Sequence, residues 1–395
     1  MTATIEDRVS TAGADALARA KELAALVASE AGTTEANATI SQPVLDALAE
    51  ARLHWAVVPT ELGGLGLSMT DGMRISEEIA RADGSTGWSF MATAFSTSII
   101  GGFIDEKGAA DLFGGDDRPA IAAGMLLPRG TCKRVEGGYL VDGNWSFASG
   151  SAFANWIGVG FLVAGDDGAP IVDDNGLPEA RIALLPREQI EFKGGWNVWG
   201  LVGTGSYDYS VHEQFVPEHH TLLTFAPTPV RSEPIYAFGT LGMGVLGHGA
   251  VALGVAQRAL EEVASIVATK VRPGQTQTVG ESPLFAYDFA RQEAYLQAAR
   301  LYVYDIIGQA EATAATGQPL SAETFARFRQ SVTWLHEVAK GVVDFAHHWA
   351  GSASIRDNTA IGRCVRDINV ATQHVLVDPS SLSDATAEIL PGYRA

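Results

Sequence analysis

Cysteine is nearly missing from this chain, with two in 395 residues. Cys132 and Cys364 lie far apart and form no ligand-type pair, which excludes a zinc knuckle or a disulfide scaffold and fits a reducing, cytoplasmic setting. Positive charge is also scarce. The 27 Lys and Arg stand against 46 Asp and Glu, a formal net charge of -19. Phosphate backbones and anionic lipid surfaces bind clustered cations, so neither nucleic acid nor a membrane is an expected partner. No apolar run approaches the ~18–20 residues that span a bilayer. The opening segment MTATIEDRVSTAGADALARA has neither a basic nor an apolar stretch, so no secretory signal is expected. The GxxxxGK[ST], HExxH and GxSxG signatures are missing as well, which removes a phosphate loop, a zinc-protease helix and a hydrolase elbow.

What remains is apolar: 47% of residues are hydrophobic and 18% charged, enough for a large core. Single cores stop growing beyond ~250–300 residues, so one large unit or two to three packed domains are expected. Residues 1–118 are Ala-rich with helical spacing, broken by PTELGGLGLS (Pro59 to Ser68), after which a helix begins near Thr70. Asp83-Gly84-Ser85 marks the next boundary, with Ser85 the expected cap of a helix over 86–100. Residues 119–228 change to short alternating runs at Tyr139–Val141, Trp156–Val159 and Ile182–Leu185, the pattern of a compact β-domain. AGDDGAPIVDDNGLPEA reads as an exposed loop. In residues 229–395 long helices return. Phe325, Phe328, Val332, Leu335, Ala339, Val342, Phe345 or Ala346, and Trp349 form one apolar stripe, and Leu296, Ala299, Val303 and Ile306 another. The order helices, sheet, helices predicts a mainly α, α+β fold without a doubly wound sheet.

Gly242-Met-Gly244-Val-Leu-Gly247 matches GxGxxG, but no convincing strand precedes it and Glu261 and Glu262 follow too early for a ribose contact. These glycines are expected to let helices approach closely. His347 and His348 are adjacent and point to different helix faces, so no metal is expected.

Four segments in order resemble one family. They are PTELGGLGLSMTDGMRISEEIARADGSTGW, GGYLVDGNWSFASGSAFANW with WNVWGLVGTGSYDYSVHEQFVP, VRPGQTQTVGESPLFAYDFARQEAYLQAAR, and GRCVRDINVATQH. Together they are similar to the acyl-CoA dehydrogenase fold: an N-terminal helical domain, a central β-barrel-like domain and a C-terminal four-helix bundle. Many dehydrogenases of that family carry a catalytic glutamate after an Arg-Asp pair on the last core helix. Here Arg366-Asp367 is followed by INVATQH, with His374 close to the glutamate's place and Glu388 too far along. That arrangement resembles the two-component flavin monooxygenase branch, which includes aromatic hydroxylases and dibenzothiophene monooxygenase.

The resemblance implies reduced FMN (FMNH2) or FADH2, O2 as co-substrate, a C4a-hydroperoxyflavin, a separate NAD(P)H:flavin reductase, a small-molecule substrate and a homotetramer. It implies His374 and Ser149 as catalytic residues, with Ser149 bonding flavin N5 or the hydroperoxide. Arg366, Val370 and His374 are spaced to project from one helical face, and an imidazole there serves as general acid or base. The resemblance also implies Trp88, Trp145 and Gly150 near the isoalloxazine, while Thr204 and Ser206 offer hydroxyls in a Gly-rich turn. Leu201-Val202 stand where relatives often have a basic residue before this turn. Arg272 matches a linker arginine reaching a neighbouring subunit's flavin phosphate, and Gly351 and Ser352 a capping turn near the cofactor. Arg363 and Asp367, at i and i+4, are spaced for a helix ion pair. Aromatic or heteroaromatic hydroxylation, sulfur or nitrogen oxygenation, an acyl-CoA desaturase using another base, and a flavin-free binding protein all remain open on the sequence.

Overall fold

The computed structural model describes residues 10–115, 119–165, 167–172, 176–194, 196–225 and 228–394. Residue 118, where the first domain boundary is expected, lies outside them. Five helices come first: α1 (Thr11–Asn37), α2 (Gln42–Glu50), α3 (Met69–Ala82), α4 (Gly84–Phe103) and α5 (Glu106–Phe113). Strands β1 (Ala122–Val135), β2 (Gly138–Ala148), β3 (Trp156–Ala164), β4 (Ala180–Pro186), β5 (Glu191–Phe192), β6 (Tyr207–Pro217) and β7 (Thr221–Leu223) follow. Helices α6 (Gly239–Thr269), α7 (Pro283–Ala314), α8 (Ala322–Ala350), α9 (Ala360–Ala371) and α10 (Ser380–Ile389) close the order.

Short polar residues start several helices by accepting a free backbone N–H, as Ser68 does for α3 and Thr359 for α9. The start of α4 differs from expectation. Asp83, in extended conformation, is the cap, and its Oδ2 accepts from both the backbone N–H and the hydroxyl of Thr86 at 2.8 Å. Ser85 lies inside the first turn, and its Oγ instead accepts from Gly203 N–H.

Among the described residues the strands form one mixed sheet in the order β5-β6-β2-β1-β3-β4-β7, in which β1 and β3 pair in parallel and the other neighbours antiparallel. The sheet has its own core, which includes Tyr139, Trp145, Ile157, Phe161 and Tyr209. A bulge in β2 interrupts its pairing with β6 between Trp145 and Ala148. Two residues, Ser146 and Phe147, there oppose Asp208, so the alternation that buries Tyr139, Val141 and Trp145 slips. Ala148 turns inward and Phe147 turns out, 61% exposed at φ 65°.

Helix α6 is the axis of the helical core, packed by α3, α4, α7, α8 and α9. The segment Pro234–Thr269 has the length and hydropathy of a membrane span, which the sequence reading did not anticipate, but 78% of its apolar window is buried among these neighbours. The GxGxxG glycines lie inside α6 and serve packing. A Cβ on Gly247 would sit 2.9 Å from the Met91 sulfur, and one on Gly242 would meet Phe325 and Phe328. Both expected stripes are buried on α7 and α8, apart from Phe325, which is half-buried.

Candidate active site

Three rings meet where α4, α6 and the chain leaving α9 come together. Trp88 on α4 lies 4.7 Å from His248 on α6 and 5.7 Å from His374, centroid to centroid. His248 and His374 are 4.0 Å apart with their planes 38° from parallel. His374 does not share a helix face with Arg366 and Val370. Helix α9 ends at Ala371, where Thr372 Oγ1 bonds the Asn369 carbonyl. His374 follows in extended conformation and caps the next 3-10 turn, its Nδ1 accepting from Leu376 N–H at 3.3 Å.

All three histidines in this region are held neutral. Burial, with His336 nearby, lowers His374 to about 4. Burial lowers His336 on α8 to about 4 as well. His248 falls well below its ordinary value through burial, then through His374 and His336. A neutral imidazole carries one N–H. Because the Nδ1 lone pair of His374 receives Leu376 N–H, the proton of His374 is on Nε2, and the ring offers a donor there. His248 Nδ1 is buried without a partner.

Ser149 joins this cluster through Trp88, whose Nε1–H donates to Ser149 Oγ at 2.9 Å. Ser149 lies 2.8 Å from Ser206 Oγ, and Ser206 lies 2.7 Å from Thr204 Oγ1, which donates to the Leu201 carbonyl at 2.8 Å. Gly150 supports the turn, its N–H donating to the Thr204 carbonyl, and its φ of 81° suits glycine. Phe147, two residues before Ser149, meets Trp196 edge-on at 5.8 Å.

Trp145 stands apart from these residues. It is 2% exposed inside the sheet, stacked on Tyr209, and its Nε1–H donates to the Gly160 carbonyl at 2.8 Å. The structure keeps Trp145 in the sheet core, and the β2 bulge turns Phe147 outward. Arg272, Gly351 and Ser352 form a second group at the end of α8. The exposed Arg272 guanidinium lies 5.3 Å from the Trp349 centroid, and Gly351 ends the helix at φ 58°.

Behind the turn lies an ionic cluster. Asp367 Oδ1 accepts from Leu201 N–H at 2.6 Å, and burial followed by Asp83 raises its pKa to about 7. The expected Arg363–Asp367 pair is replaced: Arg363 lies 3.9 Å from both Glu35 and Asp83, and Arg366 bonds Glu35. Separately, Asp111 Oδ2 is shared by His219 and His220 at 3.1 and 2.9 Å, a group of metal-ligand type that the sequence reading did not single out.

Reading the sequence alone missed His248 and Phe147. His248 is hidden in a Gly-rich helix that serves packing, and Phe147 is re-aimed by a bulge that alternation does not reveal.

Models of the acyl-CoA dehydrogenase N-terminal and C-terminal domains match residues 16–111 and 246–379. The indole-3-acetate monooxygenase of Pseudomonas putida is 30% identical over 359 residues, covering 90% of this chain and 89% of its own. The flavin-dependent monooxygenase oxygenase subunit HsaA of Mycobacterium tuberculosis is 24% identical over 88% of each chain. The solved structure of XiaF from Streptomyces sp. in complex with FADH2 and glycerol superposes with a TM-score of 0.86 at 20% identity, covering 96% of each chain.

Proposed function

Because the chain belongs to the flavin-dependent monooxygenases of the acyl-CoA dehydrogenase fold, as the oxygenase component of a two-component system, we propose that it hydroxylates an aromatic or heteroaromatic small molecule. The observation that carries this reading is the neutral, ring-lined cluster of Trp88, His248 and His374 next to the Ser149 hydroxyl. Flat rings stack on such side chains, and no charged side chain belongs to the cluster. An indole-like ring is favoured among substrates, since a relative covering 90% of this chain is named for indole-3-acetate.

The residues present fit a reduced flavin. Ser149, the outward Phe147 and Trp88 would hold it, and the Gly150–Thr204 backbone bond would steady that edge. When bound, the flavin supplies the electrons that activate O2 and the oxygen atom that is transferred. The chain's own residues exclude water, orient the ring, and offer His374 Nε2–H as a hydrogen-bond donor to a developing anion. Arg272, exposed at the end of α8, is suited to the phosphate of a flavin bound by a second copy. Leu284, Tyr287, Tyr295 and Leu301 form an exposed apolar stripe on α7, in keeping with a homotetramer. A flavin reductase is the partner that delivers either FMNH2 or FADH2.

The test is anaerobic titration of the purified protein with reduced FMN and FADH2, followed by mixing with oxygenated buffer and indole-type or phenolic compounds. Tight uptake of reduced flavin, a long-lived spectral species before oxidised flavin returns, and a hydroxylated product are expected. Retention of oxidised FAD with bleaching by acyl-CoA would overturn the reading.

A further inference from the structure

The hydroxyl chain behind Ser149 has a direction that proton counting fixes. It contains three O···O contacts: Ser149 to Ser206 at 2.8 Å, Ser206 to Thr204 at 2.7 Å, and Thr204 to the Leu201 carbonyl at 2.8 Å. Oxygens this close repel unless a proton lies between them, so each contact needs one. Three hydroxyls supply three protons, and the carbonyl supplies none. Thr204 therefore donates to Leu201, Ser206 to Thr204, and Ser149 to Ser206. Trp88 Nε1 is only a donor and gives its hydrogen to Ser149. With its one proton committed, Ser149 presents a lone pair and no hydrogen to any further partner.

The carbonyl that anchors this order is firmly placed. Besides Thr204 Oγ1, it accepts from Trp196 Nε1–H at 3.0 Å and Thr204 N–H at 3.2 Å. The turn itself is pinned by Leu201 N–H on Asp367, Gly203 N–H on Ser85, and the Thr204 carbonyl accepting from Ser89 Oγ and Gly150 N–H. Thr204 and Ser206 are 1% and 2% exposed, so water does not compete for their protons. Reversing the chain would leave the Thr204–Leu201 contact without a proton.

We propose that Thr204 and Ser206 are positioning residues that fix Ser149 as a hydrogen-bond acceptor and so select a reduced flavin, which carries N5–H, over an oxidised one, which has a lone pair there. The proposal rests on the flavin reading of this site. It predicts that selection follows the anchoring hydroxyl and not the bulk of residue 204.

Equilibrium dialysis under anaerobic conditions against oxidised and reduced FMN and FAD gives the two affinities without any turnover. In the full-length protein, Thr204→Val frees the Ser206 and Ser149 protons to turn round, and the preference for reduced flavin is expected to fall about 3- to 10-fold, the worth of one neutral hydrogen bond. Thr204→Ser keeps the anchoring proton and is expected to keep the wild-type ratio. Ser206→Ala breaks the chain at its middle, is expected to shift the ratio the same way, and decides the matter if Thr204→Val does not fold. An unchanged ratio in Ser206→Ala and Thr204→Val, or a Thr204→Ser protein behaving like the valine variant, overturns the proposal while leaving the flavin reading intact. If the wild-type protein takes up neither flavin, both fall.

Discussion

On one side of the 201–206 turn stand hydroxyls and neutral rings: Ser149, Ser206, Thr204, Trp88, His248 and His374. On the other stand Asp367, Asp83, Glu35, Arg363 and Arg366, joined by ion pairs and backbone hydrogen bonds. The strengths of the two sides differ by type. Unit charges 4 Å apart attract by about 4 kcal/mol at an effective dielectric of 20 before their desolvation is counted, against about 1 kcal/mol net for a neutral hydrogen bond. Asp367 ties the turn to this cluster through Leu201 N–H, which keeps the charges behind the backbone and off the pocket. The neutral side is then free to discriminate by donor and acceptor direction alone.

The sharpest way to break this comparison is to remove the donor from the neutral side. Replacing His374 by Ala should lower product formed per reduced flavin consumed by about 10²- to 10³-fold, the range for losing one hydrogen-bond donor to a developing charge. Gln, whose amide N–H reaches about as far as Nε2, should recover a large part of that loss. A residue needed as a base would not be rescued by Gln, so a Gln variant as inactive as Ala would sink the donor assignment. Since burial holds His374 near 4, its own titration should leave the rate flat between pH 6 and 9.

The ionic side can be displaced by one methyl group. A Cβ on Gly200 would lie 2.2 Å from the Arg366 carbonyl oxygen, and backbone on α9 cannot yield cheaply. Gly200→Ala should cost about 2–3 kcal/mol by overpacking, read as a lower denaturation midpoint. It should also weaken binding of both flavins together, unlike the change of ratio expected from Thr204→Val. An Ala variant with unchanged stability and binding would show that the turn does not depend on its seat against α9.

Protonation tests the same side more gently. Burial and Asp83 raise Asp367 to about 7 in the folded chain, above its ordinary value of 3.8. The folded state therefore binds more protons than the unfolded one between pH 4 and 7, and this group's contribution to stability falls as pH rises through that window. Asp367→Asn keeps an oxygen for Leu201 N–H and removes the titration. Unfolding free energies at pH 5 and pH 8 should show the wild type losing on the order of 2 kcal/mol more than the variant over that rise. Parallel pH profiles for the two proteins would contradict the raised value.

Much of this frame can be read along the chain, because burial repeats with the period of the element. The stripes ending at Trp349 and Ile306 mark faces of α8 and α7 through their spacing alone. Local exceptions are harder to read, since each depends on a partner distant in sequence. Arg363 and Asp367 have the spacing of a pair, but Glu35 and Leu201 claim them. His374 keeps its helical spacing on paper, whereas Thr372 and the Leu376 N–H end the helix first. Ser85 has the composition of a cap and is used by Gly203. The hydroxyl chain joins residues 88, 149, 204 and 206, and only the last two are neighbours in sequence.

Trp145 gives the smallest of these tests and the clearest contrast with Trp88, because both indoles donate one hydrogen bond. The Trp145 bond ends on the Gly160 carbonyl inside the sheet, and the Trp88 bond ends on Ser149. Replacing Trp145 by Phe keeps most of the buried ring and leaves that carbonyl without its donor. A loss of about 1–2 kcal/mol of stability is expected, with the ratio of reduced to oxidised flavin affinity unchanged. Trp88→Phe removes the donor to Ser149 but leaves the serine proton directed at Ser206, so it should change affinity for both flavins while preserving their order. A ratio that moved in the Trp145 variant would mean that the β2 bulge transmits the packing of the sheet core to Ser149, four residues along the same strand and turn.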